Sequence, residues 1–184
     1  NYEDAIRQYK FERDYKTRLL KFKAGCLAHF AMDLNEVYMC TNLKGKSSFF
    51  LPFNKVCGVG IHSGKGNPHN ENGINVSYMW EDILKRDTVL YLIDKIIFLQ
   101  KETKKDPDTG KRVTKETLIF PRYHQLDVVT KLLADVKANG SGKNYLVQHS
   151  AGSGKSNSIA WLAHRLTGLH DDRDEKIFQS VIIV

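Results

Sequence analysis

A short run near the end of the chain combines the residue types that bind phosphate groups. Residues 148–156 read Gln-His-Ser-Ala-Gly-Ser-Gly-Lys-Ser. They follow an apolar stretch at 145–147 and precede an apolar pattern of helical spacing at 159–163. A strand, a glycine-rich turn, Lys-Ser and a helix, in this order, are typical of a phosphate-binding loop. The pattern therefore predicts a nucleotide-binding site.

Each part of this loop has a physical role. Gly152 and Gly154 allow the tight turn that directs backbone N–H groups at an anion, and the following helix adds the positive end of its dipole. Lys155 would reach the β- and γ-phosphates of ATP, and the Ser156 hydroxyl would hold Mg²⁺. The candidate nucleotide-binding residues of the loop are His149, Ser150, Ala151, Gly152, Ser153, Gly154, Lys155 and Ser156.

One position departs from the general pattern G-x-x-x-x-G-K-[ST], because the first glycine would fall at His149. Glycine, serine and lysine also occur together in plain surface loops, so a solvated loop is the alternative. The strand-like and helical flanks favour nucleotide binding.

Two further candidates precede the loop. Gln125 lies 30 positions before Lys155 and follows Arg122 at the start of a predicted helix. A side-chain amide matches the donor and acceptor at N6 and N7 of adenine. A glutamine on a helix beside the phosphate loop would therefore select ATP over GTP. Both Arg122 and Gln125 are predicted to bind the nucleotide.

Composition limits the class of protein. The 184 residues are 41% hydrophobic and 27% charged, enough for a packed core. The net charge of +7 favours an anionic partner, nucleic acid first, although many basic proteins bind only ATP. Three cysteines without CxxC spacing indicate reduced thiols in the cytoplasm rather than a disulfide or zinc framework. No apolar run approaches the ~20 residues of a membrane span, and no signal peptide is visible.

The first half of the chain predicts a small α/β region. Residues 1–21 have a helical pattern with charges of both signs, which favours a solvated helix over one that flanks a nucleic-acid site. Strands are predicted at 25–33, 36–41 and 48–53, with a turn at 33–35. A long irregular loop is expected at 57–75. The Gly64-Lys65-Gly66 run within it lacks a following Ser or Thr, so we reject it as a second phosphate loop.

The second half predicts a second module. One or two helices are expected within 76–100, followed by an exposed linker or hairpin at 101–117. Apolar residues between 126 and 136 have helical spacing, and Asn139-Gly140-Ser141-Gly142 predicts the end of that helix. A strand at 145–147, the loop, a helix to about residue 166 and a buried strand at 181–184 would begin a doubly wound α/β domain.

The combination of an adenine-reading glutamine and this loop resembles superfamily-two helicases and translocases, whose phosphate loop often lacks the first glycine. The chain also resembles, and more closely, the restriction and motor (R) subunit of type I restriction-modification enzymes. The similar segments are Pro121-Arg122-Tyr123-His124-Gln125-Leu126-Asp127, residues 148–156, His29-Phe30-Ala31-Met32-Asp33, Glu36-Val37-Tyr38-Met39, Phe50-Leu51-Pro52-Phe53-Asn54 and Glu3-Asp4-Ala5-Ile6-Arg7-Gln8-Tyr9.

The resemblance implies a division of the chain and a set of partners. Residues 1–100 would be the end of a restriction-nuclease-like α/β domain, 101–117 a linker or hairpin, and 118–184 the beginning of a RecA-like P-loop motor lobe. The family's subunit binds ATP, Mg²⁺ and double-stranded DNA, and it joins modification (methylase) and specificity subunits. It pulls in DNA and cuts it far from the recognition site.

The resemblance also implies what this chain lacks. The nuclease Asp and Glu-x-Lys are expected before Asn1, and the acidic Walker B strand and the arginine finger after Val184. No catalytic residue is therefore assigned here, and Gln8 is at most a nuclease accessory residue or a surface glutamine. We expect this chain alone neither to hydrolyse ATP appreciably nor to cut DNA, because both reactions need those groups.

Three alternatives stay open at this point. One is a related superfamily-two DNA translocase of repair or remodelling, and another is a truncated, non-catalytic piece that binds only DNA or partner subunits. A small P-loop kinase is the third, and it leaves Gln125 without a role.

Overall fold

The computed structural model describes residues 1–57, 66–107 and 110–184. The chain divides into two compact units, Asn1–Pro121 and Arg122–Val184. Its secondary structure is mixed, with helices and small antiparallel sheets. Among the described residues, no helix has the length and apolar character that crossing a bilayer demands.

The first unit begins with helix α1 (Tyr2–Arg7), which continues into a π-helical turn (Gln8–Glu12). The predicted helix over 1–21 is wrong beyond that turn, and residues 14–24 form successive turns instead. The cause is Asp14, whose carboxylate accepts the Lys16 N–H at 2.9 Å and whose carbonyl accepts the Thr17 hydroxyl at 3.0 Å. Such local bonds compete with the helical ones.

A three-stranded antiparallel sheet follows, in the order β1 (His29–Met32), β2 (Val37–Cys40), β3 (Leu51–Pro52). The predicted turn between β1 and β2 is confirmed, because the Asp33 carboxylate accepts the N–H groups of Asn35 and Glu36 at 2.8 and 2.9 Å. Pro52 lies on an edge strand, where its missing N–H costs no ladder bond.

The buried core of this unit includes residues of the sheet region and of the segment that begins at Val76. Phe53 is completely buried, and its ring makes edge contacts with Phe30 and Phe120. The Tyr78 hydroxyl donates to the Phe53 carbonyl at 2.7 Å. This one residue therefore joins ring packing to a buried hydrogen bond.

The predicted helices within 76–100 are present as a π-helical turn (Met79–Ile83) and helix α2 (Arg86–Tyr91), which runs into another π-helical turn (Leu92–Ile96). The prediction is wrong at its end, because Phe98 already belongs to a strand. The rejected loop at Gly64 and Lys65 lies outside the described residues. A hairpin of β4 (Phe98–Lys105) and β5 (Arg112–Ile119) closes the unit. Of the linker or hairpin predicted at 101–117, the hairpin is therefore the one that forms.

The second unit contains helices α3 (Tyr123–Asn139) and α4 (Lys155–Thr167), which pack against each other. Helix α3 buries the predicted apolar stripe, including Leu126, Val129, Leu133 and Val136. It ends at Gly140, whose φ of +73° suits glycine.

The predicted strands at 145–147 and 181–184 are wrong, and no strand forms anywhere in residues 122–184. The side chain of Leu146 is 96% exposed and that of Ile182 is 85% exposed. The reason is physical, since a strand needs a hydrogen-bonded neighbour and a parallel sheet needs cover on both faces. Side-chain bonds from Asp135 on α3 hold Lys143 and Tyr145 instead. The doubly wound sheet is therefore not formed within these residues.

Candidate phosphate-binding site

The glycine-rich loop turns on two glycines in the left-handed region. Gly152 has a φ of +73° and Gly154 one of +84°. The Ser153 N–H donates to the Ser150 carbonyl at 3.3 Å, which closes a tight turn before α4 begins at Lys155. Only glycine adopts such angles at little cost, so these two positions set the shape of the loop.

Lys155 folds back over the loop. Its ammonium donates to the Ser150 carbonyl at 3.0 Å and approaches the His149 carbonyl at 3.5 Å. The ammonium has three donors on a flexible stem, so its side chain can adopt other positions. Its role as a phosphate ligand stays a prediction.

The first turn of α4 supplies the remaining donors. The first N–H groups of a helix have no intrahelical partner, and they carry the positive end of the helix dipole. Ser156 lies in this turn, and it is exposed. Ser153, by contrast, is buried, and its Oγ has no hydrogen-bond partner among the described residues. An unpaired buried hydroxyl costs about 1–3 kcal/mol, so it is a place where a ligand would relieve a penalty.

Gln125 contacts the loop directly. Its Nε2 donates to the Gly154 carbonyl at 2.8 Å, and its Oε1 accepts the backbone N–H of Arg122 at 2.9 Å. The side chain is only 4% exposed. The amide thus uses one N–H and one lone pair to join the loop to the start of α3. In this arrangement Gln125 positions the loop, and its role in reading adenine stays a prediction.

His124 is a residue that the sequence reasoning missed. Its Nε2 lies 3.1 Å from the Ser153 carbonyl, and its ring meets that of His149 edge-on at 5.0 Å. Burial lowers the pKa of His124 below its ordinary 6.5, and the nearby His149 and Arg122 act in the same direction, whereas the bond to the Ser153 carbonyl opposes them. Its position next to Gln125 on α3 was the only available signal.

An open groove of about 430 Å³ adjoins these histidines. It runs between α3 and the segment 143–149, and mostly apolar atoms line it. Its lining residues include His124, Val128, Leu132, Tyr145 and His149. A groove of this volume falls in the range of small-molecule sites, and it is large enough for a nucleoside.

In the part of the chain that the structure describes, the other residues that the sequence suggested as candidates offer no side-chain hydrogen bond to the loop. Ala151 is exposed and contributes only backbone to the loop. Arg122 acts through its backbone, which pairs with Gln125. Gln8 belongs to the first unit, where its Oε1 accepts from Arg13 at 3.2 Å. Within the described residues, no group of three or more His, Cys, Asp or Glu side chains is arranged to hold a metal ion.

Comparison with known proteins adds no family to this picture. No protein-family model, curated protein or solved structure matches the chain.

Proposed function

We propose that residues 122–184 bind ATP together with Mg²⁺. We further propose that the chain belongs to the ATP-dependent DNA-translocating and DNA-cleaving subunit of a type I restriction enzyme. One observation carries the nucleotide part, namely the hydrogen bond that joins Gln125 to Gly154. The residue expected to read the base and the loop expected to hold the phosphates are 29 positions apart in sequence and in direct contact.

The chemistry of the loop supports this proposal. Lys155 supplies a mobile cation, the turn at Gly152 and Gly154 supplies the shape, and the start of α4 supplies free backbone donors. The exposed Ser156 hydroxyl would hold Mg²⁺, which would neutralise phosphate charge. These residues bind and orient a nucleoside triphosphate.

The proposed partners follow from the resemblance and from charge. Double-stranded DNA suits a chain of net charge +7. The modification and specificity subunits of a restriction complex are the proposed protein partners, and a cytoplasmic location goes with them.

Nucleotide titration followed by amide NMR tests the site, since it detects even millimolar binding. We expect MgATP to shift the amide signals of Gly152, Ser153 and Gly154, and MgGTP to shift them less. The Lys155→Ala chain should lose this response. Lys137→Ala is the matched control, because Lys137 carries the same charge in the same unit but pairs with Asp172 at 3.2 Å. Equal responses from both variants, or no loop shift at all, would contradict nucleotide binding here.

The whole-protein activity needs a separate test. In the protein that contains this chain, Lys155→Ala should abolish ATP-driven translocation along DNA and the long-range cleavage that depends on it. Cleavage retained by that variant would contradict the restriction-motor assignment even if the loop binds ATP.

A further inference from the structure

The hairpin of the first unit is an exposed two-stranded ribbon with two different faces. The strands β4 and β5 pair over eight positions, from Phe98 opposite Ile119 to Lys105 opposite Arg112. At ~3.4 Å per residue the ribbon is about 27 Å long. Paired residues share a face and successive residues alternate, so the register assigns every side chain to one face or the other.

One face, which we term the basic face, carries most of the positive charge. Along β4 and β5 it consists of Leu99, Lys101, Thr103, Lys105, Arg112, Thr114, Glu116 and Leu118. The single carboxylate on it is already neutralised, because Glu116 accepts from Lys23 at 2.6 Å and pairs with Lys101 at 3.3 Å. Lys23 is also the main reason why the pKa of Glu116 lies below its usual range.

The far end of the basic face is electrostatically unfavourable in the protein alone. Lys105 and Arg112 lie directly opposite each other, both exposed, and neither has an ion-pair partner among the described residues. Like charges at paired positions destabilise a sheet. Next to them, Thr103 and Thr114 share a hydrogen bond of 3.0 Å, which brings two hydroxyl groups together on the same face.

The opposite face is more nearly balanced. Lys104 pairs with Glu102 at 3.4 Å, and Gln100 donates to Glu102 at 2.8 Å. Val113 and Lys115 occupy the facing positions on β5. The two faces of the ribbon therefore differ in charge, and the basic face is the more positive.

We infer that the basic face binds the sugar-phosphate backbone of double-stranded DNA. A two-stranded ribbon fits the major groove of the duplex. Lysine, arginine and threonine side chains are the usual donors to phosphate oxygens. Side chains at alternate positions, such as Lys101, Thr103 and Lys105, are spaced ~6.8 Å apart along the strand, comparable to successive phosphates along one DNA strand. The inference rests on the proposed DNA partner, but the surface lies in the first unit and does not depend on the nucleotide site proposed for the second.

Binding of the whole chain to a fluorescent DNA duplex, measured over a range of salt concentrations, tests the inference. We expect the double variant Lys105→Gln/Arg112→Gln to bind roughly tenfold or more weakly at 0.1 M salt, and its salt slope to fall by about two counterions. The variant Lys104→Gln/Lys115→Gln removes the same charge from the opposite face and should bind nearly as the parent chain does. The first variant also removes a like-charge pair, so its thermal stability should not decrease.

Three outcomes would overturn the inference. Equal weakening by both variants would assign the binding to net charge alone, and no weakening by either would place DNA elsewhere. Binding of polyglutamate with the same dependence on the basic face, without binding of duplex DNA, would point to an acidic protein partner. The Lys155→Ala chain should keep its DNA affinity, which separates this result from failure of the nucleotide site.

Discussion

The side-chain nitrogen of Gln125 lies 2.8 Å from the carbonyl oxygen of Gly154, so the first turn of α3 holds the end of the glycine-rich loop. The approach is so close that a Cβ atom on Gly154 would lie 2.5 Å from that nitrogen. Two features therefore favour glycine at position 154, namely its left-handed backbone and the close approach of Gln125. The glycine angles set the turn, and this contact joins the end of the loop to α3.

Replacing Gly154 by alanine is expected to be costly. The left-handed backbone costs an alanine about 1–2 kcal/mol, and displacing Gln125 breaks a hydrogen bond worth about 1 kcal/mol more. Gly152→Ala is the matched control, because its φ is also positive but nothing lies within 4 Å of the added Cβ. Urea unfolding should therefore give a loss of about 2–3 kcal/mol for Gly154→Ala and about 1–2 kcal/mol for Gly152→Ala.

A double-mutant cycle isolates the contact. Once Gln125→Ala has removed the amide, Gly154→Ala should cost about 1 kcal/mol less than it does in the parent chain. Additive losses in the cycle would show that the two residues do not interact in solution.

The pKa of His124 gives the second prediction. Burial lowers it below 6.5, so the unfolded chain binds the proton more readily than the folded one. Stability that is complete above pH 6.5 should therefore decrease as the pH falls below that value. The ring C–H signals of His124 should titrate below pH 6.5, and a bound phosphate should raise the midpoint because an anion favours the imidazolium.

The variant His124→Gln keeps a donor for the Ser153 carbonyl but does not titrate. Its free energy of unfolding should depend less steeply on pH below 6.5 than that of the parent chain. A His124 midpoint at or above 6.5 without ligand would contradict the burial that the structure assigns to this ring.

The sequence predicted correctly those elements that are stabilised by residues close together in the chain. The turn at Asp33 and the buried stripe of α3 follow from side-chain bonds and helical spacing. The run at 145–147 has strand composition, but a strand exists only with a partner, which its own residues cannot specify. The prediction of a helix beyond Glu12 was wrong because the Asp14 side chain forms hydrogen bonds with nearby backbone groups that compete with helical ones.

In the candidate site, too, local features could be predicted from the sequence and contacts between distant residues could not. The residue types of the loop predicted its glycine turns, since the backbone angles of Gly152 and Gly154 depend on the residues themselves. The contact between Gln125 and Gly154 spans 29 positions, and the burial of the amide follows from how α3 packs on α4. The contact between His124 and the Ser153 carbonyl was missed for the same reason.

The carboxylate of Asp135 gives the third prediction. It accepts from Lys143 at 2.8 Å and from the Tyr145 hydroxyl, and these bonds lower its own pKa. The hydrogen bond from the Tyr145 hydroxyl to Asp135 raises the pKa of Tyr145 above 10. In Asp135→Asn the Tyr145 pKa should return towards 10, as measured by NMR of ¹³C-labelled tyrosine rings.

Asp127→Asn is the control for that titration. Asp127 lies on the same helix and pairs with Lys131 at 2.8 Å, so its removal deletes an equal charge without touching Tyr145. The stabilising effect of Asp135 should be present at neutral pH and lost as the pH falls below 3.8, because its pKa is lower in the folded chain. An unchanged Tyr145 titration in Asp135→Asn would mean that the segment at 143–145 is not held by α3.

The hydroxyl of Tyr78 gives the last prediction, which concerns the first unit. Tyr78 is 1% exposed, and its hydroxyl donates to the Phe53 carbonyl at 2.7 Å inside the core. Tyr78→Phe keeps the ring and removes this bond, so the unfolding free energy of the unit should fall by about 1–2 kcal/mol. Tyr15→Phe is the matched control, because the Tyr15 hydroxyl makes no hydrogen bond among the described residues, and its loss should stay within about 0.5 kcal/mol. Equal effects of the two substitutions in urea unfolding would show that the bond between Tyr78 and Phe53 does not stabilise the core of this unit.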